Sequence, residues 1–314
     1  MTTSRCPLTY EPLAPGGGPY STAGLRRLSP HLDRLAPLPF TADELVREAA
    51  RRADKMSIGG VQPKVSAVLR PSEGRFELVD TGGRYLLKPE NPLFPEVPAN
   101  EDVTMRMAAA AGIETPLHGL LYTEGGGLCY VVRRFDRVGR GDKLAVEDLA
   151  QLLGLDRETK YASSMEQVAK AVERYCTFPL PQKQDLFRRT IVVFLTGNED
   201  HHVKNFSVLT TPDGLRQLAP AYDMVASTIA LRDPREELAL PLRGKKSRIT
   251  RADLVDYYAA ERLGLRAPAV DRVLAEVAAA QPAWDDLLAR SFLSDDMKGR
   301  YADVLADRRA RLGL

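Results

Sequence analysis

The sequence of 314 residues predicts an α+β fold with two lobes, the first rich in β-strands and the second mainly helical. Between residues 65 and 134, short apolar segments are separated by glycine-rich turns, which is the pattern of strands. From residue 146 onward, apolar residues recur at helical spacing. A polar cluster at residues 198–205 interrupts this helical part. The lobes are expected to meet at a cleft around residues 133–136, and ligands favour such junctions.

The composition is that of a soluble globular protein, with 44% apolar and 27% charged residues. A net charge of +2 gives no electrostatic reason to expect direct nucleic-acid binding. The three cysteines are far apart, which fits a reducing compartment and argues against a disulfide framework or a zinc site. Neither a signal peptide nor an apolar stretch of the ~20 residues that span a membrane is found. We therefore expect a cytoplasmic protein without membrane contact.

Residues 1–56 are predicted to form an arm that packs on the first lobe. Proline and glycine are frequent between residues 7 and 40, which indicates irregular structure there. A capping box at Thr41–Glu44 then predicts a short helix over residues 42–53. The first lobe itself is expected to span residues 57–135.

The first lobe begins with a glycine-containing loop, which leads into a strand at residues 65–69. Segments 75–79 and 84–88 flank Gly82-Gly83, and this arrangement predicts a β-hairpin. A helix and two more strands follow. The helix is expected from Pro98 to its closing residue Gly112, and the strands at residues 117–122 and 128–134.

The second lobe, residues 136–314, is predicted to be helical apart from the polar cluster and the hairpin that follows it. The expected helices cover residues 146–154, 164–175, 182–195, 251–263, 268–279 and 299–311.

The polar cluster has the spacing of a kinase catalytic loop. Asp200 and Asn205 stand five positions apart, as in the D-x-x-x-x-N motif, where the Asp orients and deprotonates the attacking hydroxyl and the Asn holds Mg²⁺. Asp223 follows eighteen residues later, beyond a strand and a Pro212-Asp213-Gly214 turn. A hairpin of this length would return Asp223 beside Asn205 and give a hard cation two oxygen ligands. The chain is therefore predicted to be a phosphotransferase.

Other polar residues fit the same chemistry. Lys88 ends a short apolar strand and is expected to contact nucleotide phosphates. Glu101 could pair with Lys88, although an acid in the first turn of a helix also suits the helix dipole. His202 could brace Asp200 or a phosphate, and Lys204 could neutralise the transferred phosphoryl group.

The loop before the first strand gives a weaker signal, since it is neither a G-x-G-x-x-G loop nor a Walker motif. The backbone N–H groups of Gly59 and Gly60 could approach phosphates, with Gln62 and Lys64 as side-chain donors. An ordinary turn would explain the same residues.

Taken together, six segments resemble the HipA-like serine/threonine kinases of bacterial toxin–antitoxin systems. The likeness runs from about Met56 to the C-terminus and is most specific at Gly197–Ser207, here called the catalytic string. The segments are Ser57–Lys64, Tyr85–Pro89, Asn100-Glu101, Arg134–Arg137, Gly197–Ser207 and Ala221–Asp223.

This resemblance implies a protein-kinase-like fold of two lobes that uses ATP and Mg²⁺. It makes Asp200 the catalytic base, assigns Mg²⁺ to Asn205 and Asp223, and assigns phosphate binding to Lys88. It also makes Ser57 a site of autophosphorylation. The remaining nucleotide contacts that it implies are Gly59, Gly60, Val61, Gln62 and Lys64 in the loop, the backbone around Arg133 and Phe135 at the adenine, and Asp136 near the ribose.

The resemblance further implies a toxin whose substrate is a protein, with an aminoacyl-tRNA synthetase as the expected target. The arm is too short for the N-terminal subdomain of HipA, and its opening resembles the short HipT type. The expected partners are a DNA-binding HipB-like antitoxin and a small HipS-like protein. Two alternatives stay open, namely a small-molecule kinase on the same scaffold and a nucleotide-binding regulatory pseudokinase.

Overall fold

The computed structural model describes residues 5–52, 63–91, 93–139, 142–156 and 158–314. The chain divides into two compact units. The first, here called the sheet unit, combines Met1–Val103, Pro116–Arg137 and Ala289–Leu293. The second, here called the helical unit, combines Thr104–Thr115, Val138–Leu288 and Ser294–Leu314.

The sheet unit is built on an antiparallel sheet of five strands in the order β2-β1-β3-β5-β4. Each neighbouring pair is antiparallel. The strands are β1 (Val65–Arg70), β2 (Arg75–Leu78), β3 (Tyr85–Lys88), β4 (His118–Tyr122) and β5 (Leu128–Arg133), and the helices are α1 (Thr22–Leu28), α2 (Ala42–Arg52) and α3 (Val97–Ala110), of which α3 continues into the helical unit.

The predicted hairpin of residues 75–79 with 84–88 is wrong, because β1 lies between these two strands. Ala67 of β1 pairs with Leu78 on one side and with Tyr85 on the other. The tight turn instead joins β1 to β2, and Gly74 takes a positive φ of 66° there. The mostly buried side chains of β1 fit its interior position between β2 and β3, since a strand with two neighbours loses more surface than an edge strand.

The arm shares one buried core with the sheet. Cys6, Leu25 and Leu38 belong to the same apolar cluster as Val65 and Val131. The arm also bonds to the edge strand β4, with donation from the Leu38 N–H to the Tyr122 carbonyl at 2.9 Å. The sequence prediction of irregular structure missed α1, whose first turn is capped by the Ser21 hydroxyl.

The helical unit contains long helices and a small antiparallel sheet in the order β10-β9-β8. The strands are β6 (Arg137–Val138, which begins in the sheet unit), β7 (Asp142–Lys143), β8 (Val146–Asp148), β9 (Ser207–Thr210) and β10 (Arg216–Leu218), and the helices are α4 (Leu149–Leu153), α5 (Met165–Tyr175), α6 (Pro179–Leu195), α7 (Ser227–Ala230), a π-helix (Asp253–Arg262), α8 (Ala267–Arg290) and α9 (Asp295–Leu312).

Two of the predicted helices need correction. Residues 146–148 form β8, and the helix begins only after Asp148, whose side chain accepts from the backbone of Gln151 in a capping box. The helix predicted at residues 268–279 continues to Arg290, although Pro282 lies inside it. The other helices agree with the prediction to within a few residues.

The polar segment of residues 197–207 directly follows α6, and the second half of this helix is buried. Phe187, Ile191 and Phe194 of this helix are fully buried. The helix stops at Gly197, which adopts a left-handed conformation with φ of 68°. A Cβ at Gly197 would lie 2.9 Å from the Thr228 hydroxyl and 3.0 Å from a Val304 methyl group. The chain therefore turns into the polar loop at a position that has room only for glycine.

We expect Gly197→Ala to lower the free energy of unfolding by about 1–3 kcal/mol more than Gly264→Ala does, because it adds overpacking to backbone strain. Gly264 is a matched control, with φ of 69° and no atom within 4 Å of an added Cβ. Urea denaturation of both variants measures the difference. Equal losses would show that the close contacts of Gly197 do not constrain this turn.

Candidate active site

The loop between α6 and β9 is held in place by its own backbone. The His202 N–H donates to the Asp200 carbonyl at 2.9 Å, and the Asn205 N–H donates to the His202 carbonyl at 2.9 Å. The Glu199 N–H donates to the Ser227 hydroxyl at 2.8 Å, which ties the loop to the first residue of α7. The polar side chains of the loop are thus presented by a defined backbone rather than by an extended strand.

Asn205 and Asp223 meet in the helical unit, as the sequence predicts. The hairpin of β9 and β10 pairs Leu218 with Val208 and so returns the chain toward the loop. The Asn205 Nδ2 atom donates to the backbone carbonyl of Asp223 at 3.4 Å. Asp223 has a positive φ of 58°, which is uncommon for a residue with a side chain and often marks a functional site.

Tyr222, in the segment that follows the hairpin, also holds the loop in place. The Tyr222 phenol donates to the Lys204 carbonyl at 2.9 Å and also contacts the Ser207 hydroxyl. Because the amide nitrogen of Asn205 is engaged, the atom that Asn205 can offer a cation is Oδ1. An amide oxygen and the carboxylate of Asp223, a residue whose backbone bonds to Asn205, are hard ligands of the kind that Mg²⁺ prefers. The donor set therefore fits the predicted cation.

Burial lowers the pKa of both histidines of the loop. It lowers the pKa of His201 to about 3, and the ring packs edge-on against Phe206 at 4.6 Å between centroids. Burial also lowers the pKa of His202, against the opposing effect of the Asp200 charge. Within the described residues, the buried Nδ1 atoms of both rings find no hydrogen-bond partner. The bracing of Asp200 or of a phosphate that was predicted for the His202 side chain stays a prediction.

Lys204 is placed differently from its predicted phosphate contact. Its ammonium group forms an ion pair with Asp148 at 2.9 Å, and both side chains are mostly buried. A role for Lys204 on the transferred phosphoryl group stays a prediction, and it requires this ion pair to open.

The sequence analysis missed Tyr161, although this residue contacts the predicted base. The Tyr161 phenol donates a hydrogen bond to Oδ1 of Asp200. Its ring also packs edge-on against the His202 ring at 5.1 Å. No motif connects Tyr161 with the catalytic string, so only the fold brings the two together.

The sheet unit places Lys88 and Glu101 in a buried ion pair with 2.6 Å between Nζ and Oε1. The Lys88 and Glu101 side chains are 7% and 1% exposed. Of the two roles that the sequence left open for Glu101, the structure therefore shows the pairing. Next to it, Asp102 contacts Nδ1 of the buried His118 at 2.7 Å, a second pair that the sequence analysis did not single out.

Asp136, which was predicted to lie near a ribose, is clamped by arginine. Arg134 donates to both of its oxygens, at 2.9 and 2.7 Å, and Arg137 lies 3.5 Å away. Arg133 is exposed, and its N–H donates to the Leu117 carbonyl at 2.7 Å. Phe135 is half-buried. The nucleotide contacts assigned to Arg133, Phe135 and Asp136 stay predictions.

Most of the glycine-containing loop lies outside the described residues. This applies to the predicted contacts Ser57, Gly59, Gly60, Val61 and Gln62. Lys64 is described and is half-buried directly before β1.

No helix in the described part of the chain is both long enough and apolar enough to cross a membrane.

Comparison with known proteins decides the family. The profile described as HipA-like C-terminal domain matches residues 56–284. The chain belongs to this family. A protein of Haemophilus influenzae named "Putative kinase" is 31% identical over 218 residues, which cover 66% of this chain and 63% of the relative. The serine/threonine-protein kinase toxin HipA of Shewanella oneidensis is 27% identical over 207 residues, which cover 60% of this chain and 47% of that protein. The matched part of this HipA-like chain thus corresponds to about half to three fifths of these relatives.

Solved structures show the fold of the HipA-like chain. The structure of Shewanella oneidensis HipA with HipB and operator DNA matches with a TM-score of 0.68 and 23% identity, and covers 90% of this chain and 74% of that one. The Helicobacter pylori proinflammatory kinase CtkA matches with a TM-score of 0.53 and 15% identity, and covers 72% of this chain and 86% of that one. The predicted HipA-like, kinase-like α+β fold is therefore confirmed.

We expect Glu101→Ala to lower the free energy of unfolding by about 3–5 kcal/mol, because it leaves the buried Lys88 charge without its carboxylate. The double variant Lys88→Met/Glu101→Leu removes both charges and should recover most of this loss. Urea denaturation followed by circular dichroism compares the three proteins. A double variant that is as unstable as Glu101→Ala would show that charge burial is not the cause.

The buried His201 should make the protein less stable in weak acid. The unfolded state binds a proton near the ordinary histidine pKa of about 6.5, whereas the folded state does so only near pH 3. Stability is therefore lost as the pH falls through this window, by up to about 1.4 kcal/mol per pH unit. His201→Phe keeps a ring against Phe206 but cannot titrate. We expect its loss of unfolding free energy between pH 7 and pH 5 to be smaller by about 2 kcal/mol. An unchanged loss would contradict this role of His201.

Proposed function

We propose that this HipA-like chain is an ATP- and Mg²⁺-dependent serine/threonine protein kinase. The observation that carries the proposal is the meeting of Asn205, on the same loop as Asp200, with Asp223, which follows β10 in the same unit. Two hard ligands and a carboxylate that can accept a proton are parts that phosphoryl transfer requires. The intact set also speaks against a pseudokinase.

Each residue has a role in this proposal. Asp200 accepts the proton of the attacking hydroxyl, and its loop backbone fixes its direction. Asn205 Oδ1 and the Asp223 carboxylate would hold Mg²⁺, which when bound neutralises phosphate charge. Lys88 contacts the nucleotide phosphates, and Glu101 sets the position of its ammonium group.

The names of relatives support a proposal for the biological role. A relative is named a serine/threonine-protein kinase toxin, and its structure was solved with HipB and operator DNA. We therefore propose that this chain is the toxin of a bacterial toxin–antitoxin system in the cytoplasm. Its proposed partners are a DNA-binding HipB-like antitoxin and a small HipS-like protein. Its proposed substrate is an aminoacyl-tRNA synthetase.

Ser57 is proposed as the site of autophosphorylation. A phosphate there adds roughly −1.5 to −2 charges directly before a glycine-containing loop. Such a charge would repel the phosphates of ATP and so reduce nucleotide access. The modification would then act as a switch on the activity.

We expect Asp200→Ala to lower phosphoryl transfer by about 10²–10⁴-fold, since a positioned general base is lost, while nucleotide binding is largely retained. Transfer from labelled ATP to the protein itself and to a purified aminoacyl-tRNA synthetase measures the first quantity, and calorimetry with ATP measures the second. A variant that keeps more than a tenth of the parental rate would remove Asp200 from this role. Phosphoproteomics of cells that briefly express either protein would identify the substrate.

Mass spectrometry of the same two proteins tests Ser57. We expect phosphate on Ser57 of the parent and none on Asp200→Ala. Equal phosphate on both proteins, or none on an active parent, would exclude self-modification at this serine.

A further inference from the structure

The proposed base has a partner that lies far from it in the sequence. Tyr161 is in the irregular stretch between α4 and α5, thirty-nine residues before Asp200, and its phenol donates to Oδ1 of Asp200. The Tyr161 side chain is 40% exposed, which is unusual for a large aromatic residue in this chain. Burial cannot be the main reason for its placement.

The Tyr161 ring is held from several directions. The His202 ring packs against it at 5.1 Å between centroids. The ammonium groups of Lys160 and Lys246 lie 4.8 and 5.7 Å from its centroid, within the range of a cation–π contact. Lys246 is itself anchored by an ion pair with Glu236 at 3.2 Å. These contacts restrict the orientation of the ring, so that its hydroxyl faces Asp200.

We propose that Tyr161 is a positioning residue for Asp200 in phosphoryl transfer, a role that rests on the kinase function proposed above. A carboxylate has two oxygens that can accept hydrogen bonds. The phenol on Oδ1 fixes the rotation of the carboxylate and leaves Oδ2 for the acceptor hydroxyl. As the acceptor oxygen bonds to the γ-phosphorus, the bond from phosphorus to ADP breaks and the hydroxyl proton moves to Oδ2.

The phenol itself does not give up a proton in this step. Burial, together with the hydrogen bond to Asp200 and its charge, raises the pKa of Tyr161. Tyr161 therefore remains a donor throughout and acts only through Asp200. The rival arrangement is a plug, in which the phenol occupies the place of the acceptor hydroxyl and has to leave before substrate binds.

Tyr161→Phe removes the hydroxyl and keeps the ring. Tyr257→Phe is a matched control, because the Tyr257 phenol donates to Glu166 at 3.0 Å and its ring also faces two cations, Arg243 and Arg262. We expect Tyr161→Phe to lower kcat about tenfold, as for the loss of a hydrogen bond to a charged group, with an unchanged KM for ATP and an unchanged Tm. Tyr257→Phe should leave kcat unchanged.

The kinetic outcomes distinguish a failure of the role proposed for Tyr161 from a failure of the proposed kinase function. Unchanged kinetics of Tyr161→Phe beside an active parent would overturn the role of Tyr161 alone. A rise in kcat/KM for the protein substrate would identify a plug and overturn positioning. A parent without any transfer would overturn the proposed kinase function, and the role of Tyr161 with it.

A second measurement tests the contact without using activity. Tetranitromethane nitrates the ionised phenol, and peptide mass spectrometry gives the rate at each tyrosine. We expect Asp200→Ala to speed nitration of Tyr161 roughly threefold, because loss of a neighbouring negative charge lowers the pKa of the phenol. The rate at Tyr257 should not change. Equal rates at Tyr161 in both proteins would show that its phenol does not bond to Asp200 and would overturn the proposal.

Discussion

A loop that carries charged side chains needs apolar anchors on both sides, and in the helical unit these anchors are α6 and β9. Phe194 at the end of α6 and Val208 in β9 are buried, and the polar string runs between them. Gly197 allows the sharp turn out of α6, and the hairpin of β9 and β10 returns the chain. Because both ends are fixed, Asn205 and Asp223 meet at a distance that one hydrogen bond can span.

Charged side chains of this loop have partners within the protein. Lys204 is paired with Asp148, and burial lowers the pKa of the two adjacent histidines, His201 and His202. The same rule holds in the sheet unit, where Lys88 is paired with Glu101 in a buried position. Unpaired buried charge is costly, so such pairs fix side-chain geometry even where they add little net stability. Asp200, which is exposed, receives its hydrogen bond from Tyr161.

Sequence patterns revealed those features that depend on neighbours along the chain. The spacing of Asp200 and Asn205 and the length of the hairpin were sufficient to predict the contact with Asp223. The strand order was not predictable in this way, because the position of β1 between β2 and β3 depends on pairing with two strands at once. The contact of Tyr161 with Asp200 was missed for a related reason, since no periodicity links residues that only the fold brings together. The pair of Asp102 and His118 was not predicted for the same reason.

The account depends most on Asn205 and Asp223 forming one cation site in the HipA-like chain. Calorimetric titration of ATP into the parent and into Asp223→Asn, with and without Mg²⁺, tests this directly. An amide keeps the shape of the side chain but lacks the charge that a carboxylate offers to Mg²⁺. The account predicts that the substitution weakens ATP binding in the presence of Mg²⁺ and leaves binding without metal nearly unchanged. Equal losses under both conditions would contradict it, and would make Asp223 a structural residue.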